Sequence, residues 1–273
     1  MGLPEVLLVL AAGFAAGTIN AVAGGGSLIS FPALIAVGLP PVAANVSNSI
    51  AVFPGYLASV AASRADLPQR RWLLRLVPGA VLGSAAGCAL LLSTPARAFE
   101  VVVPFLVLGA TAVLAFQTRL RRLVTRRSGD RREPPTRTDP AAGDAATTPT
   151  GSAPPTMAVQ AIVTVGAVYG GYFGAALGVM LVAGLALALP ATLARISAIK
   201  NLLSAVVGLT TTVAFAAFGP VHWVAVAVVA PATIVGGYVG AWLVRRMPAA
   251  VLRVVIVTFG TAVGLLLLVR ALT

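Results

Sequence analysis

Carboxylates are scarce in this sequence. Seven Asp and Glu stand against nineteen Lys and Arg in 273 residues, and outside residues 118–156 only Glu5, Asp66 and Glu100 remain. No pair of acids and no nucleophile with a base beside it is visible, so general acid–base or covalent chemistry has no machinery here and the chain is not expected to be an enzyme. A single cysteine, Cys88, rules out an intrachain disulfide. With a single histidine, His222, there is no Cys/His cluster at ligand spacing, so neither a metal nor a cofactor is expected. His222 lies in Gly219-Pro220-Val221-His222-Trp223 and reads as an interface residue beside a tryptophan. Neither G-x-G-x-x-G nor a G-K-[ST] loop is present, which removes the common nucleotide cradles. The start, Met1-Gly2-Leu3-Pro4-Glu5-Val6, has no basic region of a cleavable signal and no Ser or Thr for myristoylation, so the first apolar segment is expected to stay.

What the chain does contain is apolar surface. Hydrophobic residues make up 59% and charged ones 10%, with mean hydropathy +0.98, far from soluble globular composition. The reading is an all-α polytopic protein of the lipid bilayer. Its net charge of +12 does not call for nucleic acid, because eight of the nineteen basic residues fall between Arg119 and Arg137 with no interleaved aromatics. Such a cluster is the mark of a cytoplasmic loop.

Residues 3–38 form one long apolar segment broken at Gly24-Gly25-Gly26 and closed by Pro40-Pro41. Each glycine costs about 1 kcal/mol against alanine inside a helix, so the triplet ends one half-helix near Ala23 and starts another near Ser27. Backbone groups freed at such a break are tolerated at membrane depth where they line a cavity, and broken segments point to a transporter's site. A helix over 42–62 follows, with Asn45, Ser47, Asn48 and Ser49 in its early turns, then helices near 72–92 and 99–117. Residues 118–156 change to Arg, Pro, Thr, Asp and Ala, the composition of a disordered linker. After it the order repeats: a glycine-broken segment over 157–189 with Gly170, Gly171, Gly174 and Gly178, a polar-start helix over 192–218, and helices near 221–244 and 249–270. A shift of 152 sets Gly178 on Gly26, Ser197 on Asn45, Lys200 on Asn48 and Asn201 on Ser49. Residues 1–117 and 157–273 are thus read as two repeats of about four hydrophobic segments each. If the broken segments are re-entrant, six full spans remain, the repeats are inverted, and the arginines gather on one side as the positive-inside rule prefers. If both broken segments cross, there are eight spans and parallel repeats.

Lys200 is the sole lysine and lies about eight residues into an apolar helix, at least about 2.5–3.5 kcal/mol uphill on insertion scales. The polar groups near it in the pattern are donors or amphoteric, not acids: Ser197, Asn201 and Ser204 on its own helix, and Asn45, Ser47, Asn48 and Ser49 on the matching one. With Gly24, Gly25, Gly26, Ser27, Gly174 and Gly178 at the breaks, and half-helix starts at Ser27–Leu28 and near Val179 offering N–H groups, the inventory suits an anion. Lysine snorkelling and Asn or Ser acting as helix–helix contacts are the bland alternatives.

The blocks Ala21-Val22-Ala23-Gly24-Gly25-Gly26-Ser27 with Pro32-Ala33-Leu34, Ala44-Asn45-Val46-Ser47-Asn48-Ser49, and Tyr169-Gly170-Gly171-Tyr172-Phe173-Gly174 with Lys200-Asn201 resemble the TauE/SafE sulfite exporter family of bacterial inner-membrane proteins. The resemblance covers both halves and skips the linker. Ser27 stands where many members have a fourth glycine, and Ser49 where many have lysine, so a basic contact found there in the family is not available. The resemblance implies a secondary transporter, an exporter, for sulfite or an organosulfonate. The expected partners are the small anion and the bilayer, with a coupling proton or ion and the oligomeric state left open. A permease for another small metabolite or inorganic anion, and a non-transporting membrane scaffold, are the other readings.

Overall fold

A computed structural model of the chain describes residues 2–22, 24–129, 155–189, 191–243 and 249–272, and every element among them is helical. In chain order these are α1 (Leu3–Val22), α2 (Ser27–Ala36), α3 (Pro41–Ala62), α4 (Arg70–Leu74), α5 (Val77–Ser93), α6 (Ala96–Gly129), α7 (Met157–Tyr172), α8 (Leu177–Ala188), α9 (Leu193–Phe218), α10 (Trp223–Leu243) and α11 (Ala249–Leu272), with a 3-10 turn at Arg64–Asp66. Four stretches among the described residues are long and apolar enough to cross a membrane: Leu3–Asn20, Arg70–Ser93, Ala96–Val113 and Ala194–Phe218. The chain is a multi-pass membrane protein.

The glycine triplet acts as expected: α1 stops at Val22 and α2 begins at Ser27, with Gly24 between them at φ +80°. That left-handed angle needs a residue without a Cβ. The second break turns through Gly174 and the left-handed Ala176, φ +58°. The helix expected over 72–92 is divided, because Pro78 at the start of α5 has no amide hydrogen for the preceding turn. α6 continues past Gln117 to Gly129, into the first part of the segment read as a linker, and 130–154 lie outside the described residues.

Contacts between helices fix their relative directions. α7 and α8 fold back on each other, with Gly170 against Leu177, Gly166 against Leu181 and Gly184 against Ile162. α2 likewise starts beside the middle of α1, where Gly26 rests on the Ala16 carbonyl. α3 and α9 run antiparallel: Asn201 bonds to Ser63 (2.9 Å) near one end, Gly208 meets Phe53 and Tyr56, and Gly219 meets Val46 near the other. α6 and α11 are antiparallel as well, through Thr111 with Gly260 and Leu108 with Gly264.

Across the two halves the packing is exchanged. α1 runs parallel to α10, Gly13 facing Val229 and Ala232, and Gly17 facing Thr233 and Gly237. α7 runs parallel to α5, which presents Gly79, Gly83 and Gly87 to Thr164, Ala167 and Val168. Lipid is as apolar as leucine, so such interfaces gain from close backbone approach rather than from apolar burial. A Cβ on Gly83 would lie 2.6 Å from the Thr164 carbonyl oxygen, which shows how closely the backbones approach. Threonine hydroxyls add cross-helix bonds, Thr18 to the Gly236 carbonyl (3.0 Å) and Thr233 to the Ala51 carbonyl (2.9 Å), each about 0.6 kcal/mol in a membrane.

Candidate functional site

The two broken segments meet tip to tip. A Cβ placed on Gly24 would stand 3.0 Å from the Gly178 Cα, and one on Gly178 would stand 3.0 Å from the Gly24 Cα and 3.1 Å from Lys200 Cδ. Only backbone fits between them, and the lysine stem closes the third side. Lys200 is buried, 8% exposed, about two turns into α9, and makes no ion pair or hydrogen bond among the described residues. The carboxylates of those residues are far off in sequence and near helix ends: Glu5 in the first turn of α1, Asp66 in the 3-10 turn and Glu100 in the first turns of α6.

Near this contact is a small, mostly apolar cavity of about 20 Å³, room for one water molecule, walled in part by Val52, Phe173, Leu177 and Val207. Ser27 from α2, Ser49 and Tyr56 from α3, Gly174 from the second break and Thr211 from α9 line it. Tyr56 faces Asn20 at the end of α1 and Ser27 at the start of α2. One turn further along α2, Ser30 donates to the Asn48 carboxamide oxygen at 2.5 Å. Ser204, one turn beyond Lys200, has a buried hydroxyl oxygen with no hydrogen-bond partner among the described residues.

A family model, Sulfite exporter TauE/SafE, matches residues 9–267. The chain belongs to that family. A protein of Haemophilus influenzae named "Probable membrane transporter protein" is 33% identical over 121 residues, 44% of this chain and 48% of that protein, so the match spans about half the length of the relative. No solved structure matches.

The two positions where this TauE/SafE chain departs from the expected pattern, Ser27 and Ser49, both line the cavity. Of the other residues singled out in the sequence, Gly24, Gly178 and Lys200 share the tip contact, Gly174 borders the cavity, Gly25 is buried at the first break, and Asn48 is bonded within the first half. Asn45 donates from its side chain to the Tyr172 carbonyl at 3.0 Å, satisfying the end of α7, while its own carboxamide oxygen is buried without a partner among the described residues. Ser47 and Asn201 are engaged elsewhere. The Ser47 hydroxyl accepts from the His222 amide at 2.9 Å, and Asn201 donates to the Ser59 carbonyl (3.3 Å) and the Ser63 hydroxyl (2.9 Å). Ser197 is half-buried on α9, and Gly26 serves the α1–α2 contact. His222 caps α10, its Nδ1 accepting from the Ala225 amide at 3.2 Å. The amides of Leu28 and Val179 are turned back onto the Gly25 and Ala176 carbonyls, so these two do not face a ligand. Sequence reasoning missed Tyr56, Asn20 and Ser30; Tyr56 was within reach, since it follows Ser49 by seven residues and therefore shares its helix face.

Proposed function

We propose that the chain is a secondary transporter of a small oxyanion, sulfite or an organosulfonate, in the bacterial inner membrane, with its site where the two broken segments meet. The observation that carries this is Lys200: a buried cation packed on the glycine contact, without a carboxylate beside it among the described residues. A cation in lipid is costly and marks a functional path. Family membership and the transporter name of the relative support the class.

The transmembrane arrangement we infer is six spans with two re-entrant hairpins, α1–α2 and α7–α8, entering from opposite sides as inverted repeats. The antiparallel α3 and α9 support it, because eight spans with parallel repeats would make these equivalent helices parallel. Arg64, Arg70, Arg71 and Arg75 then lie on the cytoplasmic side with the Arg119–Arg137 segment. The linker joins the two halves there.

Counterflow in proteoliposomes against sulfite, thiosulfate, sulfonates, sulfate and carboxylates tests the reading. Exchange of sulfite or a sulfonate, competed weakly by carboxylates, is the expected result. A protein that is folded and inserted yet exchanges none of the panel is a scaffold, and the proposal fails.

A further inference from the structure

Lys200 raises a question of charge that the site's own geometry answers. It is buried where the two breaks touch, and among the described residues its surroundings hold no compensating anion. α9 packs against α3, α5, α7, α8 and the Arg64–Asp66 turn. The ionisable side chains these present are Tyr56, Cys88, Tyr169 and Tyr172, with Arg64 and Asp66 exposed in the turn, Arg195 on α9 itself, and none on α8. The Tyr169 hydroxyl donates to the Ala175 carbonyl at 2.6 Å, and Tyr56 faces the neutral side chains of Asn20 and Ser27. With an anion bound, the ammonium and its ligand sum to zero. With the site empty, a charged Lys200 would stand without a counter-charge in the interior of a membrane protein, a situation that is costly for a buried charge.

From this, and on the basis of the transport reading above, we propose that Lys200 carries a proton in the same direction as the anion, so that the cycle is an electroneutral anion–proton symport. The loaded carrier crosses as an ammonium–anion pair. When the anion leaves, the ammonium N–H bond breaks, the proton passes to water on the same side, and the electron pair stays on nitrogen as a neutral amine. The empty carrier returns uncharged, and the amine takes a proton from water with the next anion. Each turn moves one anion of charge −1 and one proton, net charge zero. Direction follows from the sum of the two gradients, so the same protein discharges an accumulated anion or takes one up from acid. The other groups that titrate or carry charge are poorly placed for this: His222 is committed to the α10 cap, and Glu5, Asp66 and Glu100 sit in terminal turns.

The test uses the full chain in proteoliposomes. Radiolabelled sulfite reports exchange. Methanesulfonate reports net flux, because it keeps its single charge at every working pH and brings no proton of its own; if the wild type exchanges sulfite alone, sulfite at fixed pH replaces it, with the proton borne by bisulfite subtracted. The expected result is net uptake accelerated by acid outside, one proton entering the lumen per anion, and no response to a valinomycin-set potassium potential. Lys200→Arg holds its charge permanently. Its exchange should fall about tenfold from altered geometry while net uptake falls at least about a hundredfold, equal to about 2.8 kcal/mol for an unpaired charge returning through the bilayer. Wild-type net flux driven by membrane potential without proton movement overturns the proposal, and that measurement needs no variant. Proton-coupled net uptake retained by Lys200→Arg also overturns it. A wild type that exchanges neither anion removes the transport reading itself, and this inference with it.

Discussion

Gly24→Ala tests whether the contact between the two broken segments is a structural fact of the molecule or an accident of two flexible turns. Two costs are separable. At φ +80° a Cβ pushes the residue into a left-handed conformation disfavoured by about 1–2 kcal/mol. The added methyl also stands 3.0 Å from the Gly178 Cα and 3.3 Å from its carbonyl carbon, both backbone atoms that no rotamer change can move, and overpacking of this kind costs about 1–3 kcal/mol. Gly38 supplies the control: it has φ +93°, yet nothing lies within 4 Å of the position its Cβ would take. Gly38→Ala therefore carries the conformational cost alone, and the gain of about 0.4–1 kcal/mol from a stiffer unfolded chain is common to both. The difference between the variants, about 1–3 kcal/mol, is the tip contact. Thermal unfolding in detergent reads it, at about 2–4 °C per kcal/mol for a fold of this size, alongside sulfite counterflow in liposomes. Gly24→Ala should melt at least about 2 °C below Gly38→Ala and lose counterflow, while Gly38→Ala transports. Equal midpoints together with wild-type flux from Gly24→Ala would refute the reasoning.

Lys200→Met keeps the length of the side chain and removes its charge. Sulfite affinity should fall by about 1.5–3 kcal/mol, roughly 10- to 150-fold, with melting unchanged or raised; isothermal titration giving wild-type affinity would take Lys200 out of the site. Tyr56→Phe removes the hydroxyl that faces Asn20 and Ser27 and should lower stability by about 0.5–1.5 kcal/mol, which thermal unfolding checks against a surface control. Single cysteines at Gly2 and Ser128, in a chain with Cys88 replaced, should react with an impermeant maleimide from opposite sides of the membrane. Labelling from one side for both would end the six-span arrangement.

How much of this was legible in the sequence depends on whether the cause was local. The breaks were legible because glycine costs a helix the same wherever it sits, and α1 and α2 end and begin within one residue of the expected positions. The division between α4 and α5 had a local signal too, Val77-Pro78, that the expected helix over 72–92 ignored. Tyr56 was carried by periodicity on α3. The partners of Ser47 and Asn201 had no local signal, since they lie 175 and 138 residues away and exist only because α10 starts and α3 ends there. Ala176 is the same case in the backbone: nothing in Ala175-Ala176-Leu177 asks for a left-handed residue, and the angle follows from bringing Leu177 back against Gly170.

The exchanged packing bears on how the proposed cycle would move. Each hairpin is seated on a helix of the opposite half, α1 on α10 and α7 on α5, through repeated glycine contacts in which the backbones themselves touch. Such seats have little freedom to slide, because any shift drives a Cα or carbonyl into its neighbour. The two hairpins, in contrast, meet at the one pair Gly24 and Gly178, where an added Cβ would have 3.0 Å of clearance against 2.0–2.6 Å at Gly17, Gly83, Gly87 and Gly236, with the lysine stem as the third member. If one half rocks against the other, the hairpins travel with their seats and part at that point. A ligand bridging Lys200 and the tips then binds one arrangement better than another, which is the differential affinity that a conformational change driven by a substrate requires. Locking the contact should therefore stop transport without unfolding the protein. Wedging it should do the same: Gly178→Ala, whose Cβ would stand 3.0 Å from the Gly24 Cα with no left-handed angle to strain, should abolish counterflow in a protein that still inserts and folds, and wild-type counterflow from that variant would place the moving interface elsewhere.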